Sequence, residues 1–338
     1  MTSLADRVVA PAHLATPSPI DGVVFRPATR EDIPAMHRVL LAACAADTPD
    51  FHPAQEDIDN EFSTTGLDPR ADTIVGHDAA GHVIAYAFVM VHPSHETLVR
   101  VWLPGAVDPQ YRSRGIGRRL LAWQLGRSRQ QLAAIDVDLP AQIELTDRAG
   151  APALALALRF GMEPTRFWFE LERDLADPVD VPGVPDGYLV RAYAPDDLEP
   201  TRLAKNDSFR DHWGSQPTLA ADWARARSAP SFRPDLSRVV VDASGAVVAF
   251  AITEVDPDSF AARGGSYGYV DYVGVVRAHR GRGLAPAVLA SALGGIRADG
   301  LTAAVLDVDA DNPTGALGLY ERLGFVRGTV AVTHTLQY

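Results

Sequence analysis

The sequence is poor in several things, and each shortage excludes something. Its 338 residues hold one cysteine, Cys44. A single thiol rules out an intramolecular disulfide and any metal site built from cysteine pairs. Cys44 reads instead as a small, buried residue on a helix. No apolar run approaches the ~20 residues needed to span a bilayer. The stretch APALALALRF reads as a short buried helix. The first residues lack a basic stretch followed by an apolar core, so no signal peptide is expected and the expected compartment is the cytoplasm. Basic residues are in deficit, 31 against 43 acidic, for a formal net charge of −12. A field of that sign repels phosphate, so nucleic acid and anionic membranes are not expected partners. No His, Asp or Glu spacing matches a metal site, and no metal is expected.

What remains is ordinary globular material, 47% hydrophobic and 22% charged, in a length that suits two domains. Residues 1–21, rich in Ala, Pro and Ser, read as an extension, either disordered or draped over a domain. Residues 176–187 sit in the Pro/Gly/Asp-rich stretch DLADPVDVPGVPDG and read as a linker. The flanking segments, 22–175 and 188–338, resemble each other. In each, a short strand ends near an arginine, Arg26 or Arg191, and an acidic helix start follows. Hairpin patterns follow at 72–93 and 237–257, each two apolar runs around a glycine turn. Each half then continues strand, glycine loop, helix, strand, helix, strand. The expected fold class is α/β in the mixed α+β sense: two tandem domains, each a twisted mixed sheet flanked by helices.

The glycine loops carry the chemistry. VGVVRAHRGRGLAPAVLASAL (273–293) is an apolar strand, a glycine turn and a helix, and GAVDPQYRSRGIGRRLLAWQL (105–125) is its upstream counterpart. Arg112, Gly115 and Gly117 stand opposite Arg280, Gly283 and Ala285. Amides at a helix N-terminus have no intrahelical partner, and with the helix dipole they hold anions. Glycine lets the backbone approach closely at positive φ. The loop is not a Walker A motif, which requires Lys-Ser/Thr after its last glycine. It is not a Rossmann loop either, because no Gly-x-Gly-x-x-Gly follows a first strand. A phosphate-bearing ligand is expected, and a plain strand-to-helix turn is the alternative.

Arg280-x-x-Gly283-x-Ala285 resembles the acyl-CoA loop of the GNAT superfamily of N-acetyltransferases. LDVDADNPTGALGLYERLGF (306–325) resembles its second signature: a strand, an Asn, a helix with a Tyr, and a Leu-Gly-Phe close. The two-copy arrangement is similar to that of mycothiol synthase. The resemblance implies acetyl transfer from acetyl-CoA, as co-substrate, to a primary amine of a small molecule or peptide, by direct attack in a ternary complex. It implies that Arg280, Gly281, Arg282, Gly283, Leu284 and Ala285 hold the pyrophosphate. Val273, Gly274 and Val275 would line the pantetheine arm as an added strand does. An amide near Val273 would polarise the thioester. Asn312 would bond the pantetheine, and Tyr320 would protonate the departing thiolate. A non-catalytic acyl-CoA-binding or regulatory module, or a mycothiol-synthase-like enzyme, is the alternative.

An amine is protonated at neutral pH, so the reaction needs a base. Asp271 and Asp307 are the candidates. Asp271 is preferred because it lies two residues from Val273, on what alternation makes the same strand face. Either could instead be a structural carboxylate. Phe209, His212 and Trp213 form an aromatic stretch that either walls the acceptor pocket or packs a helix junction. Asn312 could also be a helix cap before Pro313.

The upstream loop, with Arg112, Arg114, Gly115, Ile116 and Gly117, could still bind CoA. Its chemistry is gone: Leu103, Ala149 and Ala157 stand where the downstream half has Asp271, Asn312 and Tyr320, and only Glu144 survives opposite Asp307. The active site is therefore expected in the C-terminal domain. The acceptor, and the choice between monomer and homodimer, are not set by these residues.

Overall fold

The structure is a computed structural model that describes residues 3–312 and 315–338. The chain forms two compact units, Met1–Arg166 with Ala331–Tyr338, and Phe167–Val330. These units divide the chain at other points than the expected boundary near 175–188, because the last strand of each comes from the other half of the sequence. Among the described residues no helix is long and apolar enough to cross a membrane.

Unit 1 holds α1 (Leu4–Arg7), β1 (Val24–Arg26), α2 (Ile33–Asp47), α3 (Gln55–Phe62), α4 (Pro69–Asp72), β2 (Thr73–His77), β3 (Val83–Phe88), β4 (Met90–Val91), β5 (Val99–Trp102), β6 (Gly105–Val107), α5 (Ile116–Ala133), β7 (Ala141–Arg148) and α6 (Pro152–Arg159). β1, β2, β3 and β6 form one antiparallel layer. β4, β5 and β7 form another, with β5 and β7 parallel. The far edge of β7 is closed by Ala331–Gln337, antiparallel, from Ala331↔Arg148 to Gln337↔Gln142. The stretch APALALALRF is helical but not buried all round. α6 hides Leu154 and Ala157 while Leu158 is exposed. Residues 3–21 are draped rather than loose: the Leu4 amide donates to Val137 and Gln130 donates to Pro11. Leu14 packs onto Gly126, where a Cβ would lie 2.8 Å from it.

Unit 2 takes β8 (Glu163–Asp174) from Phe167 onward. It continues with β9 (Leu189–Ala192), α7 (Leu198–Ser208), α8 (Ala220–Ala226), β10 (Arg238–Val241), β11 (Val247–Glu254), α9 (Phe260–Arg263), β12 (Tyr267–Val275), α10 (Leu284–Ala298), β13 (Ala303–Asp309), α11 (Ala316–Arg322) and the start of β14 (Val326–Gln337). Its sheet runs β8-β13-β12-β11-β10-β9, antiparallel except for β12 and β13. β11 is VVAFAITE, buried at seven consecutive positions of which the first six are apolar, as a strand covered on both faces requires. Leu284, Val288 and Ala292 of α10 cover one face. Trp223 and Ala204, from α8 and α7, cover the other against Phe250 and Ile252. Each fully buried branched or aromatic side chain here contributes roughly 1.5–3 kcal/mol.

Both units start with the same lock. Arg26 grips Asp32 with two bonds of 2.7 Å, and Arg191 grips Asp197 in the same way. Each Asp also accepts the amide that opens its turn, Thr29 or Ala194. Burial would raise these carboxyls, but the hydrogen bonds from arginine and backbone hold both below the usual range. The acidic helix starts therefore serve as ion-pair anchors, with the carboxylate buried and the arginine partly exposed, as well as dipole partners.

Removing residues 331–338 should open the edge of β7. We expect the melting temperature of unit 1 to fall by at least about 10 °C, with faster hydrogen exchange at the β7 amides. Unchanged melting and exchange would show that the exchanged strand contributes little.

Candidate active site

β12 and β13 pair for only three residues, Tyr267↔Ala303 to Tyr269↔Val305, and then part. On its other side β12 stays paired with β11 as far as Val275. The Val276 amide donates to Val248 across that antiparallel ladder. By alternation the main-chain groups of Val273 and Val275 face the open side. This leaves a free strand edge inside the sheet, where an extended chain can add.

The parting follows an irregularity. Between Ile252↔Tyr272 and Thr253↔Val270 the register slips, and Asp271 is the extra residue. Such a bulge re-aims side chains. Asp271 and Val273 therefore do not share a face, contrary to simple alternation. Val273 and Val275 pack under α10 with Leu284 and Val288. Tyr272 turns to the α7 side, where Phe209 meets its ring edge-on at 5.5 Å and Trp223 lies 5.9 Å away.

On leaving the edge, the chain turns through a short 3-10 segment, Arg277–His279, and enters α10. Gly281 and Gly283 both have φ of +75°. Nothing lies within 4 Å of where a Cβ would project at either, so conformation rather than packing demands glycine there. Among the described residues, the amides from Gly281 to Ala285 take no backbone partner outside the helix, and they open α10. Arg280 is turned inward. Its amide donates to Arg277, and its guanidinium binds the Ser208 carbonyl at 2.7 Å, with Asp211 at 3.3 Å. It ties the loop to the end of α7, and the free cradle begins one residue later than the motif suggests. Arg282 donates to the Tyr188 hydroxyl at 2.8 Å.

Asp271 accepts from Arg227 Nη2 at 2.8 Å, and the same nitrogen lies 3.1 Å from Glu254. Burial pushes the Asp271 carboxyl up, against the pull of Arg227 and Lys205. Asp307 accepts the Tyr269 hydroxyl at 2.9 Å. Partial desolvation raises its carboxyl, with Tyr269 opposing and Glu170 adding to the rise. Tyr320 sits on α11 with its ring 7% exposed and 5.9 Å from Phe325. Burial pushes its hydroxyl up to about 12, so it is protonated at neutral pH.

Asn312 donates its amide to Asp309 and accepts from Gly315. α11 is capped by Gly315, at φ +68°, so Asn312 lies three residues ahead of the cap; Pro313 lies outside the described residues. Phe209 and His212 stack at 4.5 Å, and burial lowers the His212 imidazole toward its neutral form. Trp213 follows in the same turn, half-buried. No three His, Cys, Asp or Glu side chains converge as metal ligands among the described residues.

Unit 1 repeats the loop, with Leu103 and Ala157 where unit 2 has Asp271 and Tyr320. Gly115 caps α5 at φ +82°, and Ser113, at φ +62°, replaces Gly281. Arg112 grips Asp47 at 2.7 and 2.8 Å as Arg280 grips α7. Arg114 pairs with Asp21 at 3.2 Å, and Ile20 lies 3.1 Å from where a Gly115 Cβ would be. Ile116 is buried, and a Cβ on Gly117 would meet only Leu156 and Val107 at ordinary contact. Leu103 and Ala157 are core residues. Glu144, 2% exposed, is locked by Arg100 through two bonds of 2.6 Å.

Residues 200–325 match the family described as the acetyltransferase (GNAT) family. The mycothiol acetyltransferase of Salinispora tropica is 34% identical over 274 residues, 80% of this chain and 83% of the relative. The chain belongs to the GNAT acetyltransferase family. A GCN5-related N-acetyltransferase from Sphaerobacter thermophilus superposes with a TM-score of 0.68 at 26% identity, covering 95% of this chain and 97% of that one. A tandem GNAT protein from the clavulanic acid biosynthesis pathway has the same fold, with a TM-score of 0.63 at 20% identity and coverage of 93% and 98%. This GNAT protein is thus an acyltransferase that uses an acyl-CoA, and the free edge and five-amide cradle fit such a ligand.

Motifs did not reveal Arg227, Glu254 or Tyr269. Tyr269 and Glu254 were within reach of a register argument, as cross-strand neighbours beside Asp271. Arg227 arrives from the turn after α8 and carries no local signal.

Replacing Gly283 with Val forces a branched side chain into φ +75°. We expect CoA affinity to fall at least about tenfold, since the strain alone costs of order 1–3 kcal/mol. Calorimetry with CoA that shows unchanged binding would remove this loop from the ligand site.

Proposed function

We propose that this acyltransferase moves an acetyl group from acetyl-CoA to a primary amine of a small molecule, with its active site in unit 2. The observation that carries the reading is the free edge of β12, with the amide cradle at one end and the Asp271 carboxylate beside it. The amides from Gly281 to Ala285 hold the pyrophosphate at the positive end of α10. The main-chain groups of Val273 and Val275 pair with the pantetheine arm, and Asn312 bonds it from the turn before α11. The Val273 amide polarises the thioester carbonyl. Asp271 takes the proton from the acceptor ammonium. The amine nitrogen then attacks the carbonyl carbon and the C–S bond breaks. Tyr320 gives its hydroxyl proton to the departing sulfur and regains one from the nitrogen, through solvent, as the neutral amide forms; Asp271 then releases its proton to solvent. Asp307 is the weaker candidate for the base, because Tyr269 already occupies one of its oxygens. Phe209, His212 and Trp213, beside Tyr272, wall the acceptor.

Unit 1 in this reading is catalytically silent. The relatives' name makes a mycothiol-related primary amine the first acceptor to test.

The test is thiol release from acetyl-CoA across a panel of amines, headed by that one. Turnover with at least one amine is expected, and none with any amine would favour a binding module. With the best acceptor, Tyr320→Phe should lower kcat by roughly 10- to 1000-fold while CoA affinity holds. Asp271→Asn should lower kcat/KM at least about 100-fold, in the range of general-base contributions, and Asp307→Asn by much less. The reverse order would make Asp307 the base.

A further inference from the structure

Arg227 has no place in the motifs, yet its setting is more constrained than that of any other charge near the site. Its side chain is only 4% exposed. Its guanidinium lies 4.8 Å from the Trp223 ring and 5.0 Å from the Phe232 ring, held between two aromatic faces. Nη2 meets two carboxylates, Asp271 at 2.8 Å and Glu254 at 3.1 Å. Nε and Nη1 are enclosed without a partner. A guanidinium is seldom buried at such expense unless its position matters. Asp271 is the bulged residue of β12, so no ladder pairing fixes its direction. Arg227 supplies the missing restraint from outside the strand.

We propose that Arg227 is a positioning residue for the transfer reaction, aiming the Asp271 carboxylate at the free edge of β12 and sharing it with Glu254. The proposal rests on the reading in which Asp271 is the base. An Arg beside a buried carboxylate also favours its ionised form, the only form that can accept a proton. Glu254 works the other way, since it competes for the same nitrogen. The remaining charged or titratable groups around Asp271 are Lys205 of α7, Tyr269 and Tyr272 of its own strand, and Asp307 of β13, which lies behind Tyr269. Lys205 alone does not replace Arg227: its ammonium already donates to Thr218 at 2.6 Å.

The test is an NMR titration of Asp carboxyl carbons in the full chain, with the Asp271 signal assigned by its loss in Asp271→Asn. In Arg227→Met the Asp271 carboxyl should titrate about one pH unit or more higher. Arg227→Lys should stay nearer the wild type, and Glu254→Gln should titrate lower. A purely structural arginine would change melting temperature and leave the titration where it was, and that result overturns the proposal. Where Arg227→Met does not fold, Glu254→Gln decides: an unmoved carboxyl overturns the idea and a lowered one supports it. The acid limb of kcat/KM, read with the best amine of the panel, should follow the NMR titration. If the carboxyl moves and the limb does not, Arg227 still sets Asp271, and Asp271 is not the base.

Discussion

The structure of unit 2 turns on one interrupted pairing. A parallel ladder between β12 and β13 that continued past Tyr269 would fill every main-chain group and leave a closed sheet. Because it stops, Val273 and Val275 keep donors and acceptors facing outward. The same parting sets the path of the chain into the glycine turn, and so the direction of α10. A free strand edge is ordinarily a hazard, open to aggregation. Here it lies within the sheet, with helices packed on both faces.

Around that edge, charge is arranged against the overall sign of the molecule. The protein carries a formal charge of −12. Yet the loop gathers Arg277, Arg280 and Arg282, with Arg277 and Arg280 sharing Asp211. The positive end of α10 adds to them. The arginine side chains brace the loop, and in the proposed reading the main chain is left to meet the anion. On the α7 side the order is reversed, with Asp271 and Glu254 around one guanidinium. In the proposed reading an anionic donor and a cationic acceptor thus find opposite surroundings, one past the end of β12 and one within it.

Much of this was legible in the residues. The duplicated order of strands, hairpin, loop and helix could be read from periodicity and glycine spacing, because both faces of β11 are covered and its apolar run is unbroken. The loop was legible because positive φ leaves glycine as its trace. Leu103 and Ala157 of unit 1 could be read as groups that cannot move protons, and both lie in the core. What alternation could not show was the bulge at Asp271, which depends on how two strands register rather than on either alone. It moved Val273 to the opposite face. Arg280 looked like an anion ligand and is instead a brace, since its partners Ser208 and Asp211 lie some 70 residues away in sequence. Arg227 was invisible for the same reason: its partners are distant in sequence and its own neighbourhood is a turn.

The exchanged strands bear on how the molecule comes into being. Unit 1 comes first in the sequence, yet the strand that closes the edge of β7 follows the whole of unit 2. During synthesis the first unit must wait, one edge unpaired, while all of the second is translated. Folding of the two halves is thereby yoked to a single finishing event. Unit 1 therefore cannot close the edge of β7 from its own stretch of sequence, and any truncation that removes the end of the second half also strips the first of a strand.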